Sequence, residues 1–136
     1  MKEVLQADLE KWLKENKVLY TRLRTPGYGY RGVRYPADFI LWLEKGTFLV
    51  ECKQRKSLPL LPSDIRQLPF MKEWGLSSYI PKAMFVVMTS TEEGYCLFTY
   101  TKILEKSIQH KGLRIEDSYM YGEDLTSLME ALVLNG

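Results

Sequence analysis

Apolar residues recur at helical spacing over residues 2–16, where Leu5, Leu9, Trp12 and Leu13 form one stripe, so an amphipathic helix is predicted there. Val18 to Arg24 predicts a short strand, and the stretch Thr25 to Gly32, with Pro26 and three glycines, breaks any regular element and predicts a loop. Asp38 to Leu43 and Thr47 to Lys53 have strand character and are joined by a turn at Lys45-Gly46, which makes a hairpin. Ser57 to Pro62 predicts a second loop. Ser63 is placed to cap a helix running towards Trp74, interrupted or kinked at Pro69. Ala83 to Ser90 is an apolar run that predicts a buried strand. Glu93-Gly94 supplies a turn before a further strand, Tyr95 to Tyr100. Thr101 to Gln109 predicts a short helix, and Glu123 to Leu134 a closing helix with Leu125, Leu128, Met129 and Leu132 as its stripe. The order α-β-β-β-α-β-β-α-α predicts one α/β domain over residues 1–136, built on a mixed central sheet.

Composition narrows the class. A chain of 136 residues, 46% hydrophobic and 12% aromatic, can bury a core without staples. It has no run of 18 apolar residues, so no membrane span is expected. Its first residues lack the apolar stretch of a signal peptide, and a cytoplasmic protein is expected. Cys52 and Cys96 lie in strand-like segments and are expected as buried thiols in a reducing compartment. With His110 the one histidine, no Cys/His spacing suits zinc, and a histidine-based triad is not expected. The net charge of +2 hides an asymmetry. Residues 1–72 hold 14 Lys+Arg against 8 Asp+Glu, a net of +6, and residues 73–136 hold 5 against 9, a net of −4. Whatever meets a polyanion is expected in the first half.

The chemistry concentrates at Asp38 and at Glu51-Cys52-Lys53. Strand side chains alternate faces, so Glu51 and Lys53 share one, and the hairpin can bring Asp38 to them. Two carboxylates at the edge of an apolar sheet repel each other and lose hydration. A Mg²⁺ ion relieves both costs, and it suits phosphodiester hydrolysis because it polarises the phosphoryl oxygen and acidifies a bound water. Lys53 would neutralise charge developing on the phosphate or orient the attacking water. The backbone carbonyl of Cys52 can supply another ligand. The alternative is a hairpin with a surface Glu–Lys pair and a capping aspartate.

Pro36-Ala37-Asp38 followed by Glu51-Cys52-Lys53 on an apolar strand resembles the signature of the PD-(D/E)xK nucleases, with Ala37 inserted between proline and aspartate. The preceding helix and the following strand–helix–strand are similar to that superfamily's α-β-β-β-α-β core, over about residues 3–100. The resemblance implies a restriction-endonuclease-like α/β fold, a mixed central β-sheet flanked by helices. Within the superfamily the chain looks most like the small Holliday junction resolvases of archaeal Hjc type and bacterial RecU type. These are homodimeric endonucleases that cut four-way DNA junctions with Mg²⁺, for which Mn²⁺ can substitute. The shared pattern is a short first helix, then Val18-Leu19-Tyr20-Thr21-Arg22-Leu23-Arg24, then a Gly-rich loop before Asp38. By that likeness Thr25 would touch a phosphate near the cut. Arg66-Gln67 stands where RecU-type members carry His-Gln, so Gln67 would hydrogen-bond a metal-bound water or phosphate, or else is an ordinary helix-surface amide. Archaeal members use a first-helix glutamate as an extra metal ligand. Gln6 takes that place here, a weaker ligand that makes a second metal doubtful, with Glu10 or Glu3 as substitutes on the same stripe.

Arg22, Arg24, Arg31 and Arg34 lead into Asp38 with no acid between them, and Arg55 and Lys56 follow Lys53. Both groups flank the expected metal and would contact DNA phosphates. Tyr28, Tyr30 and Tyr35 would stack on exposed bases or anchor their loop. The expected function is a Mg²⁺-dependent endonuclease acting on branched DNA as a homodimer. The alternatives are a restriction, repair or phage-type nuclease of the same fold, or a non-catalytic nucleic-acid-binding module. The paired carboxylates argue against the last.

Overall fold

The first helix, α1 (Lys2–Glu15), forms where Leu5, Leu9 and Leu13 recur every fourth residue, and all three are buried. It ends in a Schellman motif. Lys17 takes the left-handed conformation (φ 55), its N–H donates to the Lys14 carbonyl (3.3 Å), and the Val18 N–H donates to the Leu13 carbonyl (3.0 Å). Val18 then packs on the same core as Leu13. The chain is seen here in a computed structural model that describes residues 2–23, 37–65 and 83–135.

Six strands form one mixed sheet in chain order: β1 (Tyr20–Arg22), β2 (Phe39–Leu43), β3 (Gly46–Gln54), β4 (Ala83–Thr91), β5 (Gly94–Thr99) and β6 (Met120–Gly122). All neighbours are antiparallel except β3 and β4, which run parallel. The parallel pair lies at the centre of the sheet, and β3 is buried along most of its length. Phe48, Val50 and Cys52 face one core with Phe39, Leu41, Val86 and Met88. That core is covered by α1 and by the last helix, α3 (Leu125–Asn135), through Leu128, Met129 and Leu132. The stripe of α3 therefore lies on the sheet of its own chain, with Leu125 packed beside it. Leu49, Phe85, Val87, Cys96 and Phe98 face a second core on the other side, under α2 (Tyr100–Gln109) and the segment Leu60–Ile65. The chain is an α/β protein, a mixed six-stranded sheet flanked by helices.

The sequence-based expectations need three corrections. Of the stretch from Ser63 towards Trp74 expected as a helix, residues 66–82 lie outside the described residues, and what is described is a 3₁₀ turn, Pro62–Asp64. Ser63 sits inside that turn, and the capping position is Leu61, whose side chain accepts nothing. Strand β6 is an addition to the expected elements. It has three residues, too few for an alternating pattern to register. Helix α2 starts one residue early, at Tyr100, because the Thr99 hydroxyl accepts the Lys102 N–H at 3.3 Å and caps it. Both cysteines are buried as expected, and they lie in opposite cores, where no disulfide can join them. Burial, with the Glu93 charge adding to it, pushes the Cys96 thiol up to about 11. No described helix is long and apolar enough to cross a membrane.

Candidate active site

Strand β3 carries the site because its apolar alternation continues into two charged positions. Glu51 and Lys53 share the face of Leu49, and the parallel register sets Glu51 beside Val87 and Lys53 beside Thr89 on β4. Both project from a central strand onto the face of the second core, and neither is exposed. Glu51 is 0% exposed and Lys53 7%. The Lys53 Nζ lies 3.7 Å from the Glu51 Oε2. The sequence suggests a pair at a sheet edge or on the surface. The structure places it on a central strand, because β4 joins β3 on the side the hairpin leaves open, and on a covered face.

Asp38 sits just before β2 and is tied to its neighbours at three points. Its carbonyl accepts the Leu23 N–H at 2.8 Å, and its own N–H donates to the Val50 carbonyl at 2.8 Å. Val50 is the residue paired with Phe39, so this last bond is one residue out of the ladder's register. Irregularities of this kind at a strand end re-aim a side chain. Here the Asp38 Oδ2 accepts the Cys52 N–H at 2.9 Å, which brings its carboxylate against the backbone between Glu51 and Lys53. The N–H and C=O of one strand residue project to the same side. The Cys52 carbonyl therefore lies on the Asp38 side of β3. The structure thus gathers Asp38, Glu51, Lys53 and the Cys52 backbone at one strand end.

The donor set fits a hard, well-hydrated cation. Among the described residues no group of three or more His, Cys, Asp and Glu side chains gathers. Two carboxylates and a carbonyl are too few for an all-protein cage. They suit Mg²⁺, which is held through one or two carboxylates and completes its shell with water and substrate phosphate.

Gln6 and Glu10, the first-helix candidates, do something else. The Arg22 guanidinium donates to the Glu10 Oε1 (2.7 Å) and the Gln6 Oε1 (3.1 Å), and the Tyr20 hydroxyl donates to the Glu10 Oε2 (2.9 Å). Arg22 also lies over the Phe39 ring, 5.6 Å from its centre. Burial alone would push the Glu10 carboxyl up. The Tyr20 and Arg22 hydrogen bonds and the charges of Arg22 and Lys14 together outweigh it, holding Glu10 below its ordinary value. This clasp docks α1 on β1, on the face of the sheet opposite Glu51 and Lys53. In the chain as seen, Gln6 thus accepts from a cation, and Arg22, expected among the phosphate contacts, anchors α1 to β1. Glu3 lies in the first turn of α1.

Arg55 and Lys56 are exposed and continue β3 past the site. With Gln54, Ser90, Thr91 and Glu92 they line a cleft of 380 Å³ at the carboxyl ends of the parallel strands, where open α/β sheets bind ligands. Arg24, Thr25, Arg31, Arg34 and Gln67, with the loop tyrosines Tyr28, Tyr30 and Tyr35, lie outside the described residues. One group escaped sequence reasoning. Thr89 is 0% exposed and faces Lys53 from the next strand, and within the apolar run Ala83 to Ser90 nothing local marks it out.

No protein-family model matches the chain, and no curated protein does. Among solved structures it is similar to Archaeoglobus fulgidus Hjc, a Holliday junction resolvase from an archaeal hyperthermophile. The two are 20% identical with a TM-score of 0.47, over 71% of this chain and 75% of that one.

Proposed function

We propose that the chain is a Mg²⁺-dependent DNA endonuclease whose centre is Asp38, Glu51, Lys53 and the Cys52 carbonyl. The observation that carries this reading is the buried Glu51–Lys53 pair, 3.7 Å apart and beside the tethered Asp38 carboxylate. Burying two charges rarely stabilises a fold compared with an apolar pair of the same volume, so charges kept at the end of central strands point to chemistry.

In this reading Asp38, Glu51 and the Cys52 carbonyl would hold the cation, and Mn²⁺ would substitute for Mg²⁺. The bound ion supplies Lewis acidity and a more acidic water. The protein's own groups do the rest. The Cys52 N–H donates to one Asp38 oxygen and so fixes the orientation of the carboxylate. Lys53 carries its positive charge to where negative charge builds on the phosphoryl oxygens, in a site shielded from water. Exposed Arg55 and Lys56 neutralise neighbouring phosphates and hold the backbone in register. The motif resemblance gives the substrate class, a four-way DNA junction, and the assembly, a homodimer whose two-fold symmetry matches two symmetric cuts. The α3 stripe is taken up by its own sheet, so the dimer surface lies elsewhere. Action inside the cell agrees with the two buried thiols.

The test is a cleavage panel of four-way junction, flap, duplex and single strand, with Mg²⁺ and with chelator. The wild-type chain is expected to make paired, symmetric nicks in the junction with Mg²⁺ alone. Asp38→Asn and Glu51→Gln are expected to lose cleavage while keeping DNA affinity. Unchanged cutting by either variant removes the site, and cutting of every substrate removes junction selectivity. Binding without cutting in any metal makes the chain a binding module.

A further inference from the structure

We propose that Thr89 is a positioning residue whose hydroxyl takes the Lys53 ammonium when a divalent cation occupies Glu51. The proposal rests on the metal-dependent reading above and adds a residue to it. Thr89 is wholly buried, and its Oγ1 has no hydrogen-bond partner among the described residues. A buried hydroxyl without a partner destabilises a fold, and valine would fill the same space without that loss. The position asks for an explanation that packing does not give.

The register supplies one. Thr89 lies directly beside Lys53 across the parallel β3–β4 ladder, and Cys96, its partner on β5, faces the second core, so all three share a face. Of the other β4 side chains on that face, Phe85 and Val87 are apolar, and the Thr91 hydroxyl donates to the Gly94 carbonyl at 3.3 Å. Adjacent strands lie about 4.8 Å apart, within easy reach of a lysine side chain.

Electrostatics supplies the occasion. Without metal, the Lys53 ammonium lies 3.7 Å from the Glu51 carboxylate. A divalent cation on that carboxylate cancels its attraction for Lys53 and adds repulsion at short range. The ammonium moves away from Glu51 and across the ladder, where the Thr89 oxygen accepts one of its protons. The hydroxyl is held ready in the metal-free chain and used in the loaded one. It keeps Lys53 charged and aimed at the phosphate.

Thr89→Val and Thr89→Ser variants of the full chain test this. Thermal melts with chelator are expected to show the valine variant more stable than wild type. Calorimetric titration with Mg²⁺, without DNA, is expected to show its Kd raised about tenfold, the size of one hydrogen bond to a charged group. The serine variant restores the affinity, and cleavage by the valine variant falls in kcat with the KM for DNA kept. A purely structural threonine predicts wild-type Mg²⁺ affinity in both variants, and that result overturns the proposal while leaving the nuclease reading intact. A wild-type chain that takes up no Mg²⁺ overturns both.

Discussion

Replacing the buried pair by an apolar one should strengthen the fold and destroy the activity. The perturbation is a cycle of Glu51→Leu, Lys53→Met and the double variant, melted in urea with chelator present. At 3.7 Å, and with an effective dielectric constant of about 20, the two charges attract by roughly 4.5 kcal/mol. Solvent screens little of this, since the side chains are 0% and 9% exposed. Removing either partner leaves the other charge buried and uncompensated, at a cost of about 3–5 kcal/mol. Against a total stability of about 5–15 kcal/mol, that is a large fraction. The double variant discards both desolvation penalties with the attraction and is expected to equal wild type or exceed it by about 1–4 kcal/mol. Each single variant should therefore melt at much lower urea, the double at the same or higher urea, and none should cleave. The reasoning fails if Glu51→Leu alone is as stable as wild type, or if the double variant shows the sum of the two single losses. Either result would mean that the two charges do not depend on each other, and the argument that function retains them would go too.

Two further outcomes follow from charges elsewhere. Glu10 is held below its ordinary value of 4.5, so its contribution to stability is complete above that pH and is lost as pH falls through the depressed value. Glu10→Gln is expected to cost roughly 1–2 kcal/mol at pH 7, discounted for partial exposure, with the deficit shrinking as the solution is acidified. A deficit constant with pH in denaturant melts would rule out the ionic clasp with Arg22. Replacing Arg55 and Lys56 together by alanine should lower the slope of log affinity for DNA against log salt by roughly two, at about 0.9 for each phosphate no longer neutralised. An unaltered slope would place the DNA away from the cleft at the ends of β3 and β4.

The hairpin is legible in the sequence because period-two alternation is a local signal. The pattern predicts a strand from Thr47 to Lys53 and Gly46–Gln54 is found, with Glu51 and Lys53 on one face. The depth of the pair is not legible. The central place of β3 comes from its parallel partner β4, which begins at Ala83, far along the chain from Gln54, and pairing over that distance leaves no local mark. Thr89 is invisible for the same reason, since only the register identifies it as the neighbour of Lys53. The fate of Arg22 shows a different limit. Counted among the arginines leading to Asp38 it suggests phosphate, whereas in the fold it meets two acceptors one turn apart on α1. A cluster of like charges in sequence becomes a surface only if no element of the same chain answers it.

That clasp also bears on how many ions the proposed centre takes. With Glu10 turned to Arg22, and Gln6 accepting from it, the described side chains at the site are two carboxylates and one ammonium, a formal charge of −1. One Mg²⁺ brings the total to +1, which matches the single negative charge of a phosphodiester. A second would raise it to +3 beside a buried lysine, with no further described acid to offset it. Lys53 then supplies, in charge, what a second cation would otherwise add. This gives a physical reason for it to follow Glu51 at the spacing that shares a strand face, and for β4 to offer it a hydroxyl once Glu51 is engaged.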